Sequence, residues 1–484
     1  MHGEAVRGDQ ERVAAWVLDA LEPSYGPWGG HKLVGEELLT SGASALREGR
    51  PVHTDARPYV GLAAAVQAHA GDQATGALLL AARLVHRGLR LAREGVPVPA
   101  TLEGYGLAAR QSAAVLASLR LAVDPPRALR HVARLVPGLA ETVLDGLPRL
   151  VRDGRVDLEA VDVQEGPGLR WSDGLVVAPL HAPAPRSGPS GQAGGASRVL
   201  ILERGPRFGP EGAAHRVRSV GALAAVQAGE EAVRRAFVDA VRALDADLVA
   251  CPRSIDEACA ERLAGQGVLV VTDAPRTLLR RLAGATGARA VLDAASATSP
   301  DLGRGRIRRR PLRRGGWTVE GAGPAATLEV PTGPPVLRAA VEDECERLLR
   351  AAGRVLADGG ALPGGGRWQR DVAAALRHVA DHAPGKAPLA VRSAADAFDA
   401  LADALVRNAG HDPLADRLPP GAEDVLDPAA CVAMAVPAAF EAAVMVLRVD
   451  ARHTRTASSP QRLRGGTGPV GSPRGLPGDV PPLM

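Results

Sequence analysis

The chain has 484 residues, of which 46% are hydrophobic and 23% charged, with a formal net charge of +4 at pH 7. That length leaves room for about three domains, and the composition excludes an intrinsically disordered chain, because there is enough apolar surface to build a core. Aromatic residues make up only 2%, which argues against a base-stacking platform for nucleic acid. Nearly all the positive charge is arginine, with Lys32 and Lys386 the only lysines. The N-terminus lacks the charged-then-apolar pattern of a signal peptide, and no apolar run reads as long enough to span a bilayer. Cys251, Cys259, Cys345 and Cys431 form neither a C-x-x-C pair nor a zinc spacing, and read as buried or bystander thiols of a reducing compartment.

Residues 12–22 and 75–110 read as helices, with Leu80, Leu84 and Leu91 on one stripe. Two Gly-rich loops lie among them: Gly26-Pro27-Trp28-Gly29-Gly30 and Gly71-Asp72-Gln73-Ala74-Thr75-Gly76. A Gly-Asp turn feeding a helix presents backbone N–H groups and the positive end of the helix dipole. Phosphate binds at such a place, and the carboxylate can hold Mg²⁺. The same residues also serve as an ordinary turn and N-cap. Residues 126–183 read as helices ending in the strand-like Gly174-Leu175-Val176-Val177, and a Ser/Gly/Pro/Ala-rich linker follows from Ala182 to Ser197.

From Arg198 to about Gly316 strands and helices alternate. Val199–Leu202, Leu248–Cys251, Val268–Val271 and Ala290–Leu292 read as short buried strands, with helices Ile255–Ala264 and Arg276–Ala283 between the last three. This is the pattern of βαβ units and a parallel sheet. Arg304 to Arg314 is strongly basic. A solvated edge strand is favoured over a nucleic-acid patch, since no aromatic residue interleaves the arginines. A helix is expected over Arg338–Leu356. Beyond it come Leu362-Pro363-Gly364-Gly365-Gly366, Asn408-Ala409-Gly410-His411-Asp412-Pro413 and Val425-Leu426-Asp427-Pro428. A Pro/Gly/Arg-rich tail begins at about Arg452 and reads as disordered.

In this order these loops resemble the equatorial ATP-binding domain of the group II chaperonins, the thermosome and eukaryotic cytosolic chaperonin family, from about residue 12 to 452. The resemblance implies a multidomain chaperonin architecture. A mainly α-helical equatorial ATP-binding domain would span 1–128 and 359–452, and a small α/β intermediate domain 129–183 and 317–358. An α/β apical, substrate-binding domain would span 184–316, and 453–484 would be a disordered tail. It further implies a cytoplasmic subunit that binds ATP and Mg²⁺, takes unfolded polypeptide as client, and assembles with other subunits into a homo- or hetero-oligomeric ring. Neither membrane nor nucleic acid is expected as a partner.

The resemblance assigns Gly26, Pro27 and Gly29 to the first phosphate loop and Gly71, Asp72 and Thr75 to the second. Gly364, Gly365 and Gly366 match the nucleotide-facing triplet, Asp427 the ribose contact, and Asp72 also the principal Mg²⁺ ligand. The catalytic part departs from the family, which carries three aspartates around the γ-phosphate. Gap-free counting from Asp72 puts Ser41 at the second, and counting from Pro363 puts Arg347 at the third, with Asp343 and Glu346 as acidic neighbours. Asp-Gln-Ala-Thr stands where the family has Asp-Gly-Thr-Thr, so Gln73 and Ala74 are further departures. Losing a water-orienting carboxylate costs about 10²–10⁴-fold in rate, so hydrolysis is expected to be weak or absent. The subunit-pairing hairpin between Leu33 and Thr40 is several residues short, and Pro206 to Arg235 takes the place of the helical protrusion. The alternative is a catalytically dead scaffold or adaptor, derived from a chaperonin, that does not enclose clients.

Overall fold

The computed structural model describes residues 3–34, 36–48, 56–152, 155–177, 196–206, 220–310, 316–331, 333–382 and 384–451. The chain opens with α1 (Glu4–Leu21), a hairpin of β1 (Lys32–Val34) and β2 (Glu37–Leu39), then α2 (Gly42–Glu48), α3 (Arg57–His69), α4 (Ala74–Arg93) and α5 (Val98–Ser118). Gly95, with φ +84°, and Pro97 separate α4 from α5, a left-handed turn followed by a residue that starts a helix readily. Next come α6 (Pro125–Leu129), α7 (Leu139–Gly146), β3 (Val151–Arg152), β4 (Arg155–Val156), β5 (Val161–Glu165) and β6 (Arg170–Asp173).

The middle of the chain holds β7 (Leu175–Val177), β8 (Ser197–Leu202), α8 (Val220–Ala243), β9 (Leu248–Ala250), α9 (Glu257–Gly265), β10 (Leu269–Val271), α10 (Arg276–Thr286), β11 (Ala290–Val291), β12 (Gly303–Arg310) and β13 (Gly316–Gly321). The return runs through β14 (Ala326–Val330), α11 (Pro335–Asp358), β15 (Ala361–Pro363), α12 (Arg367–His382), α13 (Ala387–Asn408), β16 (Leu426–Pro428) and α14 (Ala429–Leu447).

Helices from the two ends of the chain form one core. α4 packs against α1, α3, α13 and α14, and Leu78, Leu79, Leu80, Leu84 and Val85 are almost wholly buried on it. Its first half is buried all round, as suits the middle of a bundle, while Arg83, Arg87, Arg90 and Arg93 of its second half pair with carboxylates. α14 is likewise long and apolar enough to cross a membrane by length and composition, which corrects the expectation that no such run exists. Here it packs between α3, α4, α5 and α11.

The middle segment makes a seven-stranded sheet in the order β10-β9-β8-β12-β13-β7, with β11 also paired to β8. β8, β9, β10 and β11 are parallel, as the alternation of strands and helices predicts, while β12, β13 and β7 run antiparallel. Side chains of β8 alternate between two cores. Val199 and Ile201 meet Leu279 and Leu282 of α10, and Leu200 and Leu202 meet Val238 of α8 and Leu263 of α9.

Two of the strand readings change here. Leu175–Val177 of β7 and Trp317 of β13 hydrogen-bond into the seven-stranded sheet. The basic strand β12 lies inside the sheet, between β8 and β13, rather than at its edge. Its arginines are solvated, since Arg304, Arg306 and Arg308 alternate outward while Gly303, Gly305 and Ile307 point in. Ala290 is exposed and Leu292 is 47% exposed, so β11 is not a buried strand. Residues 182–195 of the linker, 207–219 of the protrusion segment, 311–314 of the basic run and 453–484 of the tail lie outside the described residues.

A three-stranded sheet, β5-β14-β6, joins the two bodies. Val161, Leu328 and Val330 enter the main helical core. The opposite face carries Asp162, Ser172 and Glu329, paired to Arg281 of α10 and Arg310 of β12.

Candidate nucleotide site

A cleft opens where the start of α4 meets the turn after α1, the strand β16 and the helix α11. Gln73 has a left-handed backbone, φ +67°, and the first helical bond runs from the Ala77 N–H to the Gln73 carbonyl, 2.9 Å. The N–H groups of Ala74, Thr75 and Gly76 therefore precede the helical ladder at its positive end, and all three residues line the cleft. Gly71 has φ +79°, and a Cβ there would lie 2.5 Å from the Arg347 carbonyl oxygen and 2.6 Å from the Ala351 nitrogen. Only glycine lets the loop lie directly on the backbone of α11.

Of the residues assigned from sequence, Gly26, Pro27, Gly71, Asp72, Thr75 and Asp427 line this cleft together, as do Ser41 and Arg347. Gly29, Gly364, Gly365 and Gly366 do not. Gly29 closes a turn through its N–H on the Gly26 carbonyl, 3.2 Å. Gly364 donates to the Val425 carbonyl at 2.9 Å, and its absent side chain leaves room for Asp427, whose Oδ2 would be 3.1 Å from a Cβ. Gly364 supports Asp427 from behind, while Gly365 lies against Ala422 and Gly366 against Ala402 and Leu418.

Asp427 accepts from Trp368 Nε1 at 2.7 Å and from Gln73 Nε2 at 3.3 Å. Burial pushes its carboxyl up to about 6, against the Trp368 bond and with the help of the nearby Asp72 charge. The same Gln73 amide donates to Asp72 Oδ2 at 3.3 Å, so one side chain spans both carboxylates.

The facing wall is cationic. Arg134 donates to the carbonyls of Gly26 (2.9 Å), Pro27 (3.2 Å) and Thr40 (3.4 Å), tying the first loop to the segment before Ser41. Arg347 is 8% exposed and donates through Nε to Asp343 (3.1 Å) and through Nη2 to Thr40 Oγ1 (3.3 Å). Burial, then the Arg347 charge, lowers the Arg134 pKa, so the two guanidiniums on this wall repel each other. The acidic neighbours of Arg347 are occupied elsewhere. Asp343 also accepts from Ser44 (2.9 Å) and Gln67 (2.7 Å), and Glu346 pairs with Arg350 (3.3 Å) at the surface.

Arg134 and His131 were missed from sequence. Both sit just after α6, in a stretch with no motif; the only signal is a cluster of cations, Arg130, His131 and Arg134, interrupting an apolar run. Burial lowers the His131 pKa, against a bond to the Asp424 backbone, and its Nε2 is buried without a hydrogen-bond partner at the cleft wall.

These groups fit a polyphosphate: backbone donors at a helix start, the hydroxyls of Thr40, Ser41 and Thr75, and two guanidiniums. They do not fit a divalent cation. Asp72 shares its Oδ2 with the Gln73 amide, and its expected acidic companions are a hydroxyl and a cation. Among the described residues no group of three or more His, Cys, Asp or Glu side chains is placed to hold a metal ion.

The TCP-1/cpn60 chaperonin family matches residues 17–416, and the chain belongs to that family. It is similar to a thermosome subunit of Methanopyrus kandleri, 25% identical over 498 residues that cover 90% of each chain. It is also similar to the thermosome subunit beta of Sulfurisphaera tokodaii, 27% identical over 508 residues, covering 92% of this chain and 90% of the relative. In fold it matches a group III chaperonin in the open state with a TM-score of 0.69 at 22% identity, covering 93% of this chain and 99% of the other. The multidomain chaperonin architecture expected from the sequence is therefore the fold of this protein.

Proposed function

We propose that this chain is a chaperonin subunit that binds ATP and unfolded polypeptide, assists folding within a cytoplasmic ring of like or related subunits, and hydrolyses ATP weakly or not at all. The observation that carries the nucleotide part is the convergence of Gly26, Asp72, Thr75 and Asp427, far apart in sequence, on one cleft at the start of α4. The slow chemistry rests on the opposite wall, where Ser41 and Arg347 line the cleft and Asp343 and Glu346 do not. A hydroxyl and a guanidinium hold phosphate, but neither is a base that orients an attacking water.

A second reading, a scaffold that neither turns over ATP nor encloses clients, is favoured by one feature. The strands β1 and β2 are three residues each, a small edge on which to pair a neighbouring subunit. Size-exclusion chromatography with light scattering, with and without ATP, separates the two while phosphate release is followed in the same samples. A large ring with little phosphate release supports the chaperonin reading. A monomer or small oligomer at all protein concentrations overturns ring assembly and leaves the scaffold.

A further inference from the structure

Gln73 is one of three non-glycine residues with positive φ among the described residues, and the only one of them in the cleft. A left-handed backbone is costly for any residue with a Cβ. Glycine, which the family loop carries at this place, would sit there without strain. The strained residue is also the one whose amide reaches both Asp72 Oδ2 and Asp427 Oδ1, each at 3.3 Å. With Trp368 Nε1 on Asp427 Oδ2, three of the four carboxylate oxygens that line the cleft accept protein N–H groups. An N–H donor on a carboxylate stands where a bound cation would otherwise supply positive charge.

On the other wall, the position expected to be acidic is Arg347. Together with Arg134 it places two fixed guanidiniums over the same cleft, held by Asp343, Thr40 and the Gly26 and Pro27 carbonyls. Like charges that repel one another are relieved by an anion between them, and planar guanidinium groups suit phosphate oxygens. The two substitutions point the same way: one engages an oxygen of each carboxylate, Asp72 Oδ2 and Asp427 Oδ1, the other supplies the counter-charge that a metal would bring.

We propose that this cleft binds its nucleoside triphosphate without a divalent cation, with Arg134 and Arg347 neutralising the phosphates and the Gln73 amide occupying Asp72 and Asp427. The proposal rests on the nucleotide reading above and sharpens its ligand from a metal–nucleotide complex to the free polyanion.

The test is the affinity for ATP by isothermal titration calorimetry, in Mg²⁺ buffer and again in EDTA, with the full chain. The wild-type affinity is expected to change less than threefold between the two buffers. A loss of more than threefold in EDTA overturns the proposal while leaving the nucleotide reading intact. Absence of binding in both buffers overturns the nucleotide reading, and the proposal with it. Gln73→Gly combined with Arg347→Asp should restore the metal requirement, seen as an EDTA affinity at least tenfold below that in Mg²⁺. Arg347→Lys, which keeps the charge on a singly substituted chain, should leave the wild-type indifference to EDTA; a loss of more than threefold in that variant also counts against the proposal.

Discussion

The two walls of the cleft are built on different principles. One wall, from Gly26 to Pro27 and from Gly71 to Gly76, presents backbone groups fixed by left-handed glycines and by the buried helix α4. The other, with Ser41, Arg134 and Arg347, presents side chains on segments that return from elsewhere in the chain. A backbone wall tolerates drift in side chains, because its donors are present whatever the residue. A side-chain wall loses its chemistry with a single substitution. On the proposed reading, binding and cleavage come apart in one pocket: the first is carried by geometry, the second would need carboxylates that the described residues do not place beside Ser41 and Arg347.

The largest expected effect comes from Gly71, where both walls touch. Gly71→Val puts a β-branched residue at φ +79° and a Cβ into the backbone of α11. It should cost about 3 kcal/mol or more and abolish nucleotide binding, checked by chemical denaturation and calorimetry. If the variant keeps both, the backbone wall is not rigid.

Next in size is the side-chain wall. Ser41→Asp with Arg347→Asp and Gln73→Gly should raise phosphate release in Mg²⁺ by about 10²-fold or more, if a missing carboxylate is what limits the rate. Unchanged turnover would place the block elsewhere in the subunit.

Asp427 gives a pH signature. Its carboxyl is raised to about 6 in the folded chain, from 3.8, by burial. The folded state then holds the proton more tightly than the unfolded state between these values, so stability falls as pH rises through that window and the full cost is present above it. The contribution is about 2–3 kcal/mol between pH 4 and pH 7. Asp427→Asn should lack it, so that its denaturation midpoint declines less than that of the wild type over the same range. The smallest effect belongs to Gln73. Gln73→Gly relieves the left-handed backbone but loses two long hydrogen bonds, and should shift stability by no more than about 1 kcal/mol.

Much of the backbone wall was legible in the sequence, because a positive φ or a close approach leaves glycine as its mark. Gly26 and Gly71 carry that mark, Asp72 and Thr75 follow Gly71 into the helix, and counting along the chain reaches Arg347 on the cleft. Gly29 and Gly364 to Gly366 bear the same mark for a different reason, since they shape the loops behind the site. Arg134 and His131 left no mark, because arginine and histidine fit many surfaces and only the packing of α6 beside α11 brings them to the phosphate loops.

In the sheet, β8, β9 and β10 were legible as buried runs joined by helices. The pairing of β7 with β13 was not, because antiparallel partners so far apart in sequence share no local pattern. The basic run of β12 marked it as solvated, but charge on one face fits an edge or an interior strand equally, and the structure places it inside the sheet.

The central claim is that the cleft holds a nucleoside triphosphate and leaves it intact. The most direct measurement is to incubate the purified chain with ATP, pass it through a desalting column, denature it and identify the released nucleotide by chromatography. The account predicts that ATP elutes with the protein and that most of it is still ATP. Recovery mainly of ADP, or of protein with no nucleotide, would contradict it.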